Sequence, residues 1–136
     1  MRLALLVFFA HLFGGLYSQT HLNLDTLVAY EAYENVLVKK LSSDSLSTSF
    51  VIWIKQSVSE HLHEYHTETI YVLEGEASMR LGEEVLNISA GDLIVVPPNV
   101  AHSVQVSSGP PLKVLSLQAP EFLGDDRVFI PAIRRN

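Results

Sequence analysis

From Asn35 onward the alternation of hydrophobic and polar residues is that of β-strands. Val36–Val38, Phe50–Ile54 and Thr69–Leu73 are short runs rich in β-branched or aromatic side chains. Further runs follow at Ala77–Leu81, Val85–Ile88, Leu93–Val96, His102–Val106 and Leu112–Leu117. Turn formers separate them: Glu74-Gly75-Glu76, Leu81-Gly82-Glu83, Ala90-Gly91-Asp92, Pro97-Pro98-Asn99 and Ser107-Ser108-Gly109-Pro110-Pro111. Strands recurring every ~8–12 residues predict an all-β sandwich or barrel. Leu24 to Asn35 reads either as a short helix or as an edge strand beneath the barrel. The late cluster Val128-Phe129-Ile130 is expected as a strand reaching across a partner subunit.

The first eighteen residues follow a different pattern. Met1-Arg2 is a short basic start, Leu3 to Leu16 is almost wholly apolar, and Gly14 to Ser18 supplies small residues. This is the layout of a secretory signal peptide, cut after Ser18 or Gln19. The run is shorter than the ~20 residues a bilayer crossing needs, and His11 interrupts it, so no stable membrane anchor is expected. The chain thus divides into a signal peptide (1–18), an N-terminal extension (19–34), a β-barrel (35–119) and a C-terminal tail (120–136). At 136 residues it is one domain.

Composition narrows the chemistry. There is no cysteine, which excludes disulfides, a thiol nucleophile and thiolate-bound zinc. The formal charge is -6, and the basic residues are scattered singly or in pairs, so no nucleic-acid surface is expected. The mature product is expected to be soluble, mildly acidic, and secreted or periplasmic.

Two stretches carry the candidate chemistry. The first is His61-Leu62-His63-Glu64-Tyr65-His66-Thr67-Glu68, with Gly75 following; the second runs from Gly91 through Pro97 to His102. Together they resemble the paired motifs of the cupin superfamily, H-x-H-x4-E-x6-G and G-x5-P-x-G-x2-H. Lys55 stands where the fuller first motif has glycine, Asn99 where the second has glycine, and Val106 where it has asparagine. The resemblance implies a single-domain jelly-roll barrel of six to eight strands, commonly a homodimer, with its ligand pocket at the barrel mouth.

The residues themselves support a metal site. His61 and His63 are two apart, so on a strand both imidazoles leave the same face. Glu68 lies after a short turn at the start of the next strand, and His102 opens a later strand beyond Pro97-Pro98. Three imidazoles and one carboxylate favour a divalent transition metal (iron, manganese, nickel, copper or zinc) over calcium or magnesium. Such a centre has a local charge near +1 and attracts an anionic or chelating small molecule. His66 lies on the opposite alternation, in the turn, and is expected to be solvent-exposed; Glu64 is expected to be solvated. Tyr65 and Tyr71 are read as packing residues. Gly75, Gly91 and Asn99 are expected at positive φ, and Asp92 as a turn acceptor. Ile70, Val72, Ala77, Met79, Val104 and Val106 share the inward faces, giving an apolar pocket. Arg80 points outward, and no other arginine or lysine is read as inward, which disfavours a sugar-phosphate ligand.

Three functions fit this sequence. One is a metal-dependent enzyme of oxygenase or isomerase type acting on a small chelating substrate. The second is a non-catalytic module binding a small molecule or metal in the same barrel. In the third the ion merely ties strands together.

Overall fold

A computed structural model describes residues 21–107 and 109–131. The expected signal peptide lies outside the described residues. Ten strands run in chain order: β1 Val36–Ser43, β2 Thr48–Ile54, β3 Ser57–His63, β4 Thr67–Glu74, β5 Glu76–Leu81, β6 Glu84–Ser89, β7 Leu93–Val96, β8 His102–Val106, β9 Leu112–Ala119 and β10 Arg127–Phe129. Each of the eight expected runs falls on a strand. Among the described residues no helix is long and apolar enough to cross a membrane.

The strands form two antiparallel five-stranded sheets, β1-β2-β9-β4-β7 and β10-β3-β8-β5-β6. Their inner faces close on one core that includes Ile70, Val72, Met79, Val96, Val104 and Leu112. Alternation holds strand by strand: Ile70 and Val72 face in on β4, Ala77 and Met79 on β5, Val104 on β8. This is the all-β jelly roll that the resemblance implies, built from ten strands rather than six to eight, five in each sheet with short β10 adding to the count.

β2 departs from alternation, since Phe50, Val51, Trp53 and Ile54 are all buried. A strand covered on both faces reads as a continuous apolar run. One face of β2 looks into the barrel. The other joins Leu37 in a second, smaller core under Leu24, Leu27, Ala29 and Tyr33. The segment expected as a helix or edge strand is neither: residues 21–35 are turns and bends. Asn23 Oδ1 accepts from the Asp25 N–H at 2.9 Å and so closes a local turn. The apolar residues that follow cover the outer face of the sheet without regular structure. Lys113, buried on β9, donates its ammonium to the Leu24 carbonyl at 2.5 Å and ties this segment down.

Turn chemistry matches expectation at the three positions singled out for positive φ. Gly75, Gly91 and Asn99 have φ of 86°, 99° and 63°. At Gly75 a Cβ would also sit 2.8 Å from the Pro111 carbonyl oxygen, so glycine is required twice over. Asp92 accepts from the Ser89 N–H at 2.8 Å.

β10 corrects a second expectation. It pairs with β3 of its own chain, Arg127 opposite His63 and Phe129 opposite His61. Within the chain β3 would otherwise end that sheet with unpaired backbone groups, and the tail supplies the missing neighbour.

Candidate metal centre

The two motifs meet between the sheets. His61 and His63 point inward from β3, and the register places His102 directly opposite His61 on β8. Glu68 comes from the facing sheet, at the start of β4. All four side chains are buried. One ring nitrogen from each of His61, His63 and His102 lies within 4.8 Å of the others. Glu68 Oε2 stands 3.4 Å from His63 Nε2 and 3.2 Å from His102 Nε2. The structure therefore gathers the four residues singled out from sequence.

Each imidazole is oriented from behind. His61 Nδ1 donates to the Ser59 carbonyl at 2.8 Å, and His102 Nδ1 to the Val100 carbonyl at 3.1 Å. His63 Nδ1 donates to Asp126 Oδ1 at 3.3 Å. Hydrogen on Nδ1 leaves a lone pair on Nε2, the tautomer a metal ligand needs. Glu68 is held the same way: its Oε1 accepts from the Ser116 hydroxyl and from Gln118 Nε2 at 3.3 Å. Both donors stand on β9, the strand that pairs with β4.

With the rings neutral, this network leaves the buried Nε2 atoms of His63 and His102 without a hydrogen to share and with Glu68 Oε2 as the polar atom beside them. In this tautomer two lone pairs face a carboxylate oxygen. Only a cation or added protons can make that arrangement favourable. A divalent ion fits the donor set of three imidazoles and a carboxylate.

The tail completes the site. Asp126, fully buried, receives His63 on one carboxylate oxygen and pairs with His66 Nδ1 through the other. His66 Nε2 donates to the Glu121 carbonyl at 2.7 Å. His66 is thus fully buried, not solvent-exposed, because residues 121–126 fold over the turn that carries it. Tyr65 donates to Asp125, and the Glu64 N–H to the Asp126 carbonyl, fixing the same cover. His63, His66 and Asp126 form a second close cluster of ligand-type atoms. Asp126 was not legible as a site residue: it lies 63 positions from His63, in a segment read as tail.

A cavity of about 270 Å³ opens beside the centre. His61, Glu68 and His102 line one side, and aliphatic side chains such as Ile52, Ile54 and Ile70 line much of the rest. Arg127 also lines it, from the rim, so an arginine does face the pocket. Arg80 points outward as expected, toward Glu60. A larger, open depression of about 580 Å³ lies among turns at Gly75, Ser89 and Ser107 and contains no histidine.

A sequence model of the cupin domain matches residues 49–118, half of the chain. The chain belongs to the cupin family. This cupin is 41% identical over 51 residues to quercetin 2,3-dioxygenase of Bacillus subtilis (strain 168), covering 38% of this chain but 15% of that enzyme. It is 32% identical over 84 residues to an uncharacterized protein of Methanocaldococcus jannaschii, covering 54% of this chain and 67% of that one. In structure it is similar to a conserved double-stranded β-helix protein of Klebsiella pneumoniae, with TM-score 0.71, 20% identity, and coverage of 82% and 97% of the two chains. That likeness concerns the fold.

Electrostatics of the metal-free cupin follow from the same contacts. Burial, with the charge of His102 and Arg127 nearby, pushes His61 down to about 4. Burial also disfavours charge on His63, but hydrogen bonds and attraction to Glu68 and Asp126 outweigh it and raise its pKa. Glu68 is buried too, yet hydrogen bonds from His102, His63 and Ser116 hold it well below the usual carboxylate range. Without a metal, the cupin therefore keeps Glu68 ionised and places the compensating proton on an imidazole.

Proposed function

We propose that this cupin binds one divalent transition metal through His61, His63, Glu68 and His102, and presents it to a small chelating ligand in the cavity. The observation that carries this reading is the convergence of Nε2 lone pairs and a carboxylate in a buried site with no protein donor between them. Iron, manganese, nickel, copper or zinc each suits these donors. When bound, such an ion supplies Lewis-acid activation of a coordinated oxygen or a place for dioxygen beside the substrate.

This chain's own residues do the rest. Ser116 and Gln118 hold Glu68; Asp126 and two backbone carbonyls hold the rings. The aliphatic wall lowers the polarity around the site and so strengthens charge interactions there. A cavity of about 270 Å³ corresponds to roughly nine waters and lies below the ~300–1,000 Å³ typical of drug-sized ligands. An enzyme of oxygenase or isomerase type is the first form of the proposal, supported by the shared segment with the Bacillus dioxygenase.

One observation favours a non-catalytic binding module as the second form. Besides the proposed ligands, no carboxylate or imidazole lines the cavity among the described residues, so no separate general acid or base faces a ligand. Dioxygen consumption or turnover separates the two forms.

The test of the site is elemental mass spectrometry on protein purified without added metal, beside a His61→Ala/His102→Ala variant. Near-stoichiometric metal, lost in the variant, is expected. No metal in either after reconstitution would overturn the reading.

Two further expectations stay with this proposal. Export rests on the pattern of residues 1–18 and is checked by N-terminal sequencing of the secreted or periplasmic product. A homodimer is favoured by exposed Tyr71, Leu93, Val95 and Leu117, which share the outer face of β4, β7 and β9. Light scattering on the wild type and on Leu93→Asp/Val95→Asp checks it.

A further inference from the structure

Arg127 has no role in holding the proposed metal ligands, yet it stands on their face of the sheet. Directly opposed residues in an antiparallel pair share a face, and Arg127 opposes His63 while Phe129 opposes His61. Both line the cavity that His61, Glu68 and His102 line. The neighbouring acids are already engaged: Asp125 accepts from Tyr65, and Asp126 takes His63 and His66. Arg127 itself forms no ion pair among the described residues.

From this placement we infer that Arg127 binds the carboxylate of a small acid whose other end carries an oxygen donor to the metal. The inference rests on the metal reading above and narrows its ligand to a chemical class. A divalent ion with Glu68 leaves a charge near +1, and Arg127 adds another, so an anion is drawn into the cavity. One planar guanidinium matches one planar carboxylate through two parallel hydrogen bonds. Ile52, Ile54 and Ile70 suit an apolar body between the two polar ends.

The test uses the full chain loaded with Co(II) and two matched probes, succinic acid monohydroxamate and its neutral carboxamide counterpart. In each the hydroxamate reports on the metal through the Co(II) absorption spectrum, and only the far end differs. The acid is expected to bind about five- to tenfold more tightly than the amide at low salt, as befits a partly exposed arginine–carboxylate pair. That preference should shrink as ionic strength rises. Arg127→Gln should bring the acid down to the amide's affinity while the spectrum of the unliganded Co(II) protein is retained. Arg127→Lys should keep part of the preference, having the charge without the fork. Equal affinities in the wild type, or a preference that survives in Arg127→Gln, overturns the assignment and leaves the metal site standing. If neither probe perturbs the Co(II) spectrum, the metal reading fails and this inference falls with it.

Discussion

Asp126 is where a single substitution should separate support of the metal ligands from the ligands themselves. Its carboxylate is fully buried and serves two imidazoles, His63 at 3.3 Å and His66 on the other side. Asp126→Ala removes both acceptors and leaves two ring nitrogens without partners in dry surroundings. Each such orphan costs ~1–3 kcal/mol, and breaking a buried ion pair from one side costs ~3–5 kcal/mol. A loss of about 3–5 kcal/mol is therefore expected, a large share of the ~5–15 kcal/mol that holds a typical domain folded. Asp126→Asn should be far milder, about 1–2 kcal/mol. Its amide oxygen can accept from His63 Nδ1, and its NH2 can donate to His66 Nδ1 once that ring is neutral. The negative charge behind His63, which makes its ring a stronger donor, is lost all the same, so metal affinity should fall about 10- to 100-fold in the Asn variant, as for other residues that support a metal-bound histidine. Urea unfolding of the metal-free proteins gives the first quantity, and competition with a chelator for Co(II) or Zn(II) gives the second. An Ala variant as stable as wild type, with unchanged metal affinity, would refute the assignment.

Three other outcomes follow from the same geometry. Glu68→Gln keeps the shape and removes the charged ligand, so metal affinity should drop more than about a hundredfold, read by elemental analysis after dialysis. Gly75→Ala forces a Cβ to 2.8 Å from the Pro111 carbonyl at a φ of 86°; a loss above about 2 kcal/mol is expected by thermal or urea unfolding. In the metal-free protein, ring NMR should find His61 neutral down to about pH 4 and His63 charged above the ordinary histidine range. The signs are opposite. His61, held down, contributes stability present above ~6.5 that is lost as pH falls toward its folded value. His63, held up, contributes stability present below ~6.5 that is lost as pH rises through its folded value. A His61 that titrates near 6.5 would refute its placement in dry surroundings.

Local signals explain how much was legible beforehand. Strand runs, turn residues and the His61-x-His63 pair are set by nearest neighbours along the chain, and each appears where alternation and backbone preference place it. Asn99 in the left-handed region and Asp92 as a turn acceptor are of the same kind. What the sequence leaves hidden depends on residues far apart along the chain. His66 looked exposed because its burial comes from residues 121–126, and Asp126 and Arg127 looked like tail because the register of β10 on β3 is not written in either strand alone. For a related reason the segment from Leu24 to Asn35 is neither the expected helix nor the expected edge strand: its apolar residues answer the outer face of β2, and they carry no period of their own.

The pairing of β10 with β3 also sets an order of events in biosynthesis. All four proposed ligands are made by residue 102, whereas the carboxylate that orients His63 arrives at residue 126 and the rim cation at 127. A chain still emerging from the ribosome, or one cut after Pro120, carries every proposed ligand without the carboxylate that orients His63 and the arginine that lines the cavity. On the proposed reading, tight metal uptake waits for the finished, folded polypeptide, and a chain truncated after Pro120 should bind Co(II) more weakly than the full chain.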